Sequence, residues 1–152
     1  MIDFIAAYKK GLNAAEIADK NQREIDSVFD DLNKQLAAAT DGKVKIIIKG
    51  NYMSGIRAFL AQADEDLKVI NKKYTPSDEK ILALNPLTKV EEGLAYWSQD
   101  RYGYPCKISY DNKVNICEDK SALEKTLATL LQDPIVGAAL YKLTQGSDSV
   151  QA

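Results

Sequence analysis

Positions 4, 8, 11, 15, 18, 22, 25, 29, 32 and 36 read Phe, Tyr, Gly, Ala, Ala, Gln, Ile, Phe, Leu and Leu. Steps of four and three residues in alternation place them on one face of an α-helix for about ten turns. Ile5, Leu12, Ile17 and Val28 widen this stripe, while Asp19, Lys20, Arg23, Asp26, Asp30 and Lys34 fall on other faces. The pattern predicts a long amphipathic helix within residues 1–42, ending at Asp41-Gly42, where glycine can take the left-handed cap. Gly11 is the point of doubt in the pattern: Asn13 and Glu16 have capping-box spacing and could start a second helix. The continuous helix is the favoured reading.

Such a helix spans about 55 Å at 1.5 Å per residue, longer than a domain of 152 residues is wide. Part of its stripe therefore needs a partner beyond the chain's own core, and a second copy is the simplest one. Phe4, Tyr8, Ala15, Ala18, Ile25, Phe29, Leu32 and Leu36 are the candidate oligomerisation residues, with a dimer as the expected state. The competing reading folds the helix back along a sheet and buries the stripe within one chain.

After the helix, Lys43–Lys49 is a β-branched run with Val44, Ile46 and Ile48 on one side and Lys43, Lys45, Ile47 and Lys49 on the other. It reads as a strand with a wet, basic face, its lysines guarding an edge against aggregation. Residues 54–70 are assigned to a helix on loosely spaced apolar positions, 72–78 to a loop containing Pro76, and 79–84 to a short strand stopped by Asn85-Pro86. Gly50–Gly55 is flanked by glycines but lacks the spacing and the Lys-Ser/Thr of a phosphate loop, so it reads as a turn.

Tyr96, Trp97, Tyr102, Tyr104 and Tyr110 crowd into fifteen positions and include the only tryptophan. Residues 93–98, 104–110 and 114–117 read as strands of an antiparallel meander, with turns at 99–103 and 111–113. Pro105 cannot donate to a ladder, so its amide side should meet an edge or a bulge. In the second hairpin, a three-residue loop Asp111–Lys113 pairs Tyr110 with Val114 and Ile108 with Ile116. A two-residue loop would instead put Cys106 opposite Cys117 and Ile108 opposite Asn115. Matching of apolar faces favours the three-residue loop. It sends Cys106 and Tyr110 to the core and Cys117 to the polar face, which argues against a disulfide between them.

Strand alternation sets Tyr96 and Trp97 on opposite faces. Beyond the meander, Ser121 and Glu124 form a capping box for a helix carrying Leu123, Leu127, Leu130 and Leu131, and Asp133-Pro134 opens another that should end at Gly146. The fold class expected is thus α+β: a long N-terminal helix, an antiparallel meander of four or five strands, and two short C-terminal helices. In domain terms, residues 1–42 form the helix, 43–146 the α+β domain and 147–152 a frayed tail.

Histidine is absent, which removes the commonest general base and metal ligand together with Ser/His and Cys/His activation schemes. No cofactor or metal is expected, and the balance leans away from an enzyme. Two cysteines make no disulfide framework and suit a reducing cytoplasm. The chain's apolar runs, Ile46–Ile48 among them, are far too short to cross a bilayer, and the N-terminus lacks the pattern of a secretory signal. A net charge of −2 gives no general field for nucleic acid.

These observations rank a non-enzymatic interaction or regulatory protein first, of inhibitor, immunity or phage-accessory type. It would be homo-oligomeric through its first helix and bind an unidentified protein through Tyr96, Trp97, Asp100, Arg101, Tyr102 and Tyr104. A nucleic-acid accessory protein using Lys43, Lys45, Lys49, Arg57, Lys72, Lys73 and Arg101 with stacking Tyr or Trp is the alternative. An enzyme built on Asp100, Glu118 or Asp119 ranks last.

Overall fold

The computed structural model describes residues 1–50 and 79–151. The expected helix at 54–70, the loop at 72–78 and most of the turn at 50–55 lie outside them, as do Arg57, Lys72 and Lys73. In chain order the elements are α1 (Phe4–Thr40), β1 (Lys45–Lys49), β2 (Lys80–Leu84), β3 (Glu91–Asp100), β4 (Gly103–Tyr110), β5 (Lys113–Cys117), α2 (Lys120–Gln132) and α3 (Pro134–Gln151). The strands form one antiparallel sheet in the order β1-β2-β3-β4-β5. This is the α+β fold that the sequence pattern predicts.

Helix α1 runs unbroken through Gly11 for 37 residues. The Asp3 carboxylate caps its start by accepting from the Ile5 and Ala6 amides, satisfying donors that the first turn leaves free. Its end is closed by Asp41 and Gly42 at positive φ, the Gly42 amide donating to the Ala37 carbonyl.

Only the later part of α1 is packed. Ala18, Ile25, Val28 and Phe29 are buried, with Leu32 and Leu36 half-buried against the same cluster. They meet Val44 and Ile46 at β1, Ile81 and Ala83 of β2, Trp97 of β3 and Ile108 of β4. The Phe29 ring stands edge-on to Trp97, centroids 5.6 Å apart at 83°, the arrangement that ring quadrupoles favour. Leu123, Leu127 and Leu130 of α2 and Val136 and Leu143 of α3 complete the same core. The three described helices therefore lie on one face of the sheet.

Two irregularities decide which side chains of β3 and β4 meet the helices. Ile81 pairs with Ala95 but Leu82 with Gly93, so Leu94 is an extra residue on β3. This bulge shifts the alternation and brings both Glu92 and Trp97 to the helix side. In β4, Gln99 pairs with Cys106 and Asp100 with Gly103, leaving Tyr104 and Pro105 unopposed. Pro105 thus meets a bulge, as its missing amide requires.

Two expectations are corrected. The β4–β5 hairpin turns through Asp111 and Asn112 alone, both at positive φ, and pairs Tyr110 with Lys113, Ile108 with Asn115 and Cys106 with Cys117. Consecutive left-handed residues form a type I′ turn, whose twist matches that of paired strands. Turn chemistry here outweighs apolar matching, so Cys117 is buried opposite Cys106 rather than exposed, and both are free thiols. Tyr110 still faces the core side, half-buried.

The start of α2 and the end of α3 also differ, whereas the Asp133-Pro134 start of α3 is as expected. Asp119, not Ser121, caps α2, accepting from the Ala122 amide at 2.8 Å. Asp133 caps α3 through the Ile135 amide. Helix α3 continues through Gly146 to Gln151, so the tail is helical there. A glycine inside a helix costs about 1 kcal/mol but does not break it.

Gly103 marks the tightest approach in the fold. It sits at φ +96°, and an added Cβ would lie 2.6 Å from the Asn21 Cβ of α1. Gly103→Ala should therefore destabilise the protein by about 2 kcal/mol or more. Gly137→Ala, at a position on α3 with open space around it, should stabilise it by up to about 1 kcal/mol. Urea unfolding of the two variants checks both signs.

Candidate interaction surface

The aromatic block is divided between interior and surface. Trp97 is 2% exposed and belongs to the core, whereas Tyr96 is 56% exposed on the opposite, uncovered face. Register sets Tyr96 in a row with Lys80, Ser109 and Val114, and the Lys80 ammonium lies 5.5 Å from its ring centroid, a cation–π contact. Beside Tyr96 an open cleft of about 670 Å³ runs to the β4–β5 turn, lined by Lys80, Leu94, Ser109, Tyr110, Asn112 and Val114 among others.

The β3–β4 turn lies at a different place and is tied to α1. The Asn21 side chain donates to the Tyr102 carbonyl at 2.8 Å, and Gln99 donates to Gln22, which donates to Asp26. The Tyr104 hydroxyl donates to Glu24 at 2.8 Å. Burial first, and this carboxylate second, push the Tyr104 hydroxyl well above its ordinary range, so it stays a neutral donor. Asp100 accepts from the Tyr102 amide and Arg101 stacks over the Tyr102 ring at 5.6 Å. Asp100, Arg101 and Tyr102 remain exposed. The six candidate binding residues therefore form no single patch: Trp97 is interior, Tyr104 half-buried, Tyr96 on the open sheet face and Asp100–Tyr102 at the hairpin tip.

The helix candidates divide as well. Ala18, Ile25 and Phe29 are buried within the chain, and Ala15, Leu32 and Leu36 are half-buried. Phe4 and Tyr8 are exposed, together with Met1, Ile2, Ile5, Leu12 and Ile17. The sequence stripe merges these two populations because periodicity reports a face, not what covers it.

Of the lysines, Lys45 and Lys49 are exposed on edge strand β1, and Lys49 is engaged by Glu91 at 3.0 Å. Asp119 is committed to its helix cap and Glu118 is exposed. Among the described residues no group of three acidic or thiol side chains could hold a metal ion. No described helix is long and apolar enough to cross a membrane. The Cys106 thiol is pushed up to about 12 by burial, and Cys117 upward by the same cause, leaving both protonated and weak as nucleophiles.

Two features went unread in the sequence. Val114 and Ile116 are 62% and 56% exposed on the uncovered face, a placement that Asp111-Asn112 turn chemistry would have revealed. Glu79 is buried with its Oε1 lacking any hydrogen-bond partner. It lies in phase with Ile81 and Ala83, and its carbonyl accepts from the Trp97 amide. No family model matches the chain, and neither a curated protein nor a solved structure does.

Burial raises the Glu79 carboxyl from 4.5 to about 7, so the fold favours its neutral form. The associated stability is fully present below pH 4.5 and is lost as the pH rises through about 7. Glu79→Gln should flatten that decline and be more stable than the parent at pH 8, by an amount on the order of 2 kcal/mol. Chemical denaturation across this range measures it.

Proposed function

We propose that this is a non-enzymatic protein-interaction protein that self-associates through the first part of α1. One observation carries the reading: residues 1–17 of the chain hold seven large apolar side chains that the domain leaves exposed. Ile5, Tyr8 and Leu12 follow one another on α1 at steps of three and four, the spacing of a helix–helix seam. Phe4 and Ala15 border that seam.

The exposed part from Phe4 to Ile17 is about 21 Å long at 1.5 Å per residue, enough for two or three layers of packed side chains. An apolar helical stripe in water is costly to leave bare. A second copy presents an identical stripe, and pairing the two would be isologous. The exposed Tyr96 and the hairpin tip at Asp100–Tyr102 then remain as the surface for a further protein partner, in a regulatory, inhibitor, immunity or accessory role.

The paired substitutions Ile5→Lys and Leu12→Lys test this. Light scattering behind size exclusion should report, at any one concentration, a parent mass twice that of the variant, with far-UV circular dichroism preserved. A parent chain of strictly monomeric mass at all concentrations would overturn the reading. For the partner surface, Tyr96→Ala and Tyr102→Ala should each weaken capture of a native protein partner about tenfold, as hot-spot truncations do. Unchanged capture by both would remove that surface from consideration.

A further inference from the structure

The two edges of the sheet are treated differently. At β1, the Asn33 side chain of α1 accepts from the Ile46 amide at 2.7 Å and donates to the Ile46 carbonyl at 2.9 Å. It takes up the amide and carbonyl of Ile46, two of the groups that a neighbouring strand would use at that edge. At β5, the type I′ turn makes Tyr110 and Lys113 a hydrogen-bonded pair, so Asn115 and Cys117 also bond to β4. The amides and carbonyls of Val114 and Ile116 therefore point outward, away from β4.

We infer that β5 is a self-pairing edge, at which two copies join antiparallel about a two-fold axis through Asn115 to make one continuous ten-stranded sheet. Pairing in this register opposes Val114 to Ile116 of the second copy, and Ile116 to its Val114. Both pairs have outward-pointing backbone groups, so each pair exchanges two hydrogen bonds. The four side chains, exposed in the single chain, form an apolar cluster on the uncovered face.

Charge selects the same arrangement. The segment Lys113–Asp119 is basic at its start and acidic at its end, with Lys113 and Glu118 both exposed. Antiparallel self-pairing brings each Lys113 beside the Cys117-Glu118 end of the other copy, where opposite charges attract. Parallel pairing would set lysine on lysine and glutamate on glutamate. The second copy is thus matched in hydrogen-bond phase, apolar pattern and charge.

This surface is separate from the α1 seam, so the test uses the full chain carrying Ile5→Lys and Leu12→Lys. Hydrogen exchange is followed at the Val114 and Ile116 amides in dilute and concentrated protein. The expected result is slowing of both by about tenfold on concentration, as newly paired amides show, together with a dimeric mass. Adding Val114→Pro, which removes an outward donor without touching the β4 ladder, or Ile116→Lys should return the mass to that of a monomer. Exchange at the two amides that is fast and independent of concentration would overturn the proposal, as would a dimer that survives both substitutions. If the parent and the helix variant share one mass while the amides slow, the α1 seam fails and the β5 edge stands.

Discussion

Helix α1 is seated on the sheet at three points, and the rest of the molecule is arranged around them. At one end Asn21 meets the β3–β4 hairpin, donating to the Tyr102 carbonyl over Gly103. In the middle Phe29 stands on Trp97. At the other end Asn33 clamps Ile46 on β1. The stretch from Ala18 to Leu36 is about 28 Å long, whereas four gaps between five strands span about 19 Å. A helix crossing such a sheet obliquely can use about that length and no more. The residues before Ala18 must overhang, whatever their composition.

The three described helices share one face of the sheet, and Tyr96, Val114 and Ile116 are exposed on the other. An antiparallel sheet tolerates one wet face if the side chains alternate, and here the alternation is maintained by a bulge at Leu94 rather than by strict spacing. Asn85 supports the arrangement from below: it is fully buried, accepts from the Leu87 amide and donates to the Leu143 carbonyl of α3. A buried amide with both ends satisfied fixes one geometry for the β2–β3 turn and α3 together.

The parts of this fold legible in the sequence are those governed by long periodicity. The stripe of α1 survives Gly11 because nine further turns outweigh one weak residue. Trp97 and Tyr96 part company because alternation holds in the stretch of β3 beyond the Leu94 bulge. Legibility fails where two local rules compete. At Asp111-Asn112, apolar matching and turn geometry point to different registers; the turn prevails because Val114 and Ile116 need no cover within one chain. At Ser121-Glu124, the capping-box pattern is present, but Asp119 reaches the Ala122 amide first. Exposure is the third gap: Phe4 and Phe29 are equivalent in the pattern and opposite in the structure, since coverage depends on the size of the sheet.

The corrected hairpin also bears on what kind of protein this is. With Cys117 on the polar face, a reactive thiol would have been a natural candidate for chemistry. With Cys117 buried beside Cys106 and both thiols held protonated, the interior supplies no ready nucleophile at neutral pH. Tyr104 is likewise a neutral donor to Glu24, and Asp119 and Asp133 serve as helix caps. Among the described residues, apolar side chains on the first part of α1 are exposed, and the backbone groups of Val114 and Ile116 point away from β4. Both are of a kind that another polypeptide satisfies, and the proposed self-association would meet them.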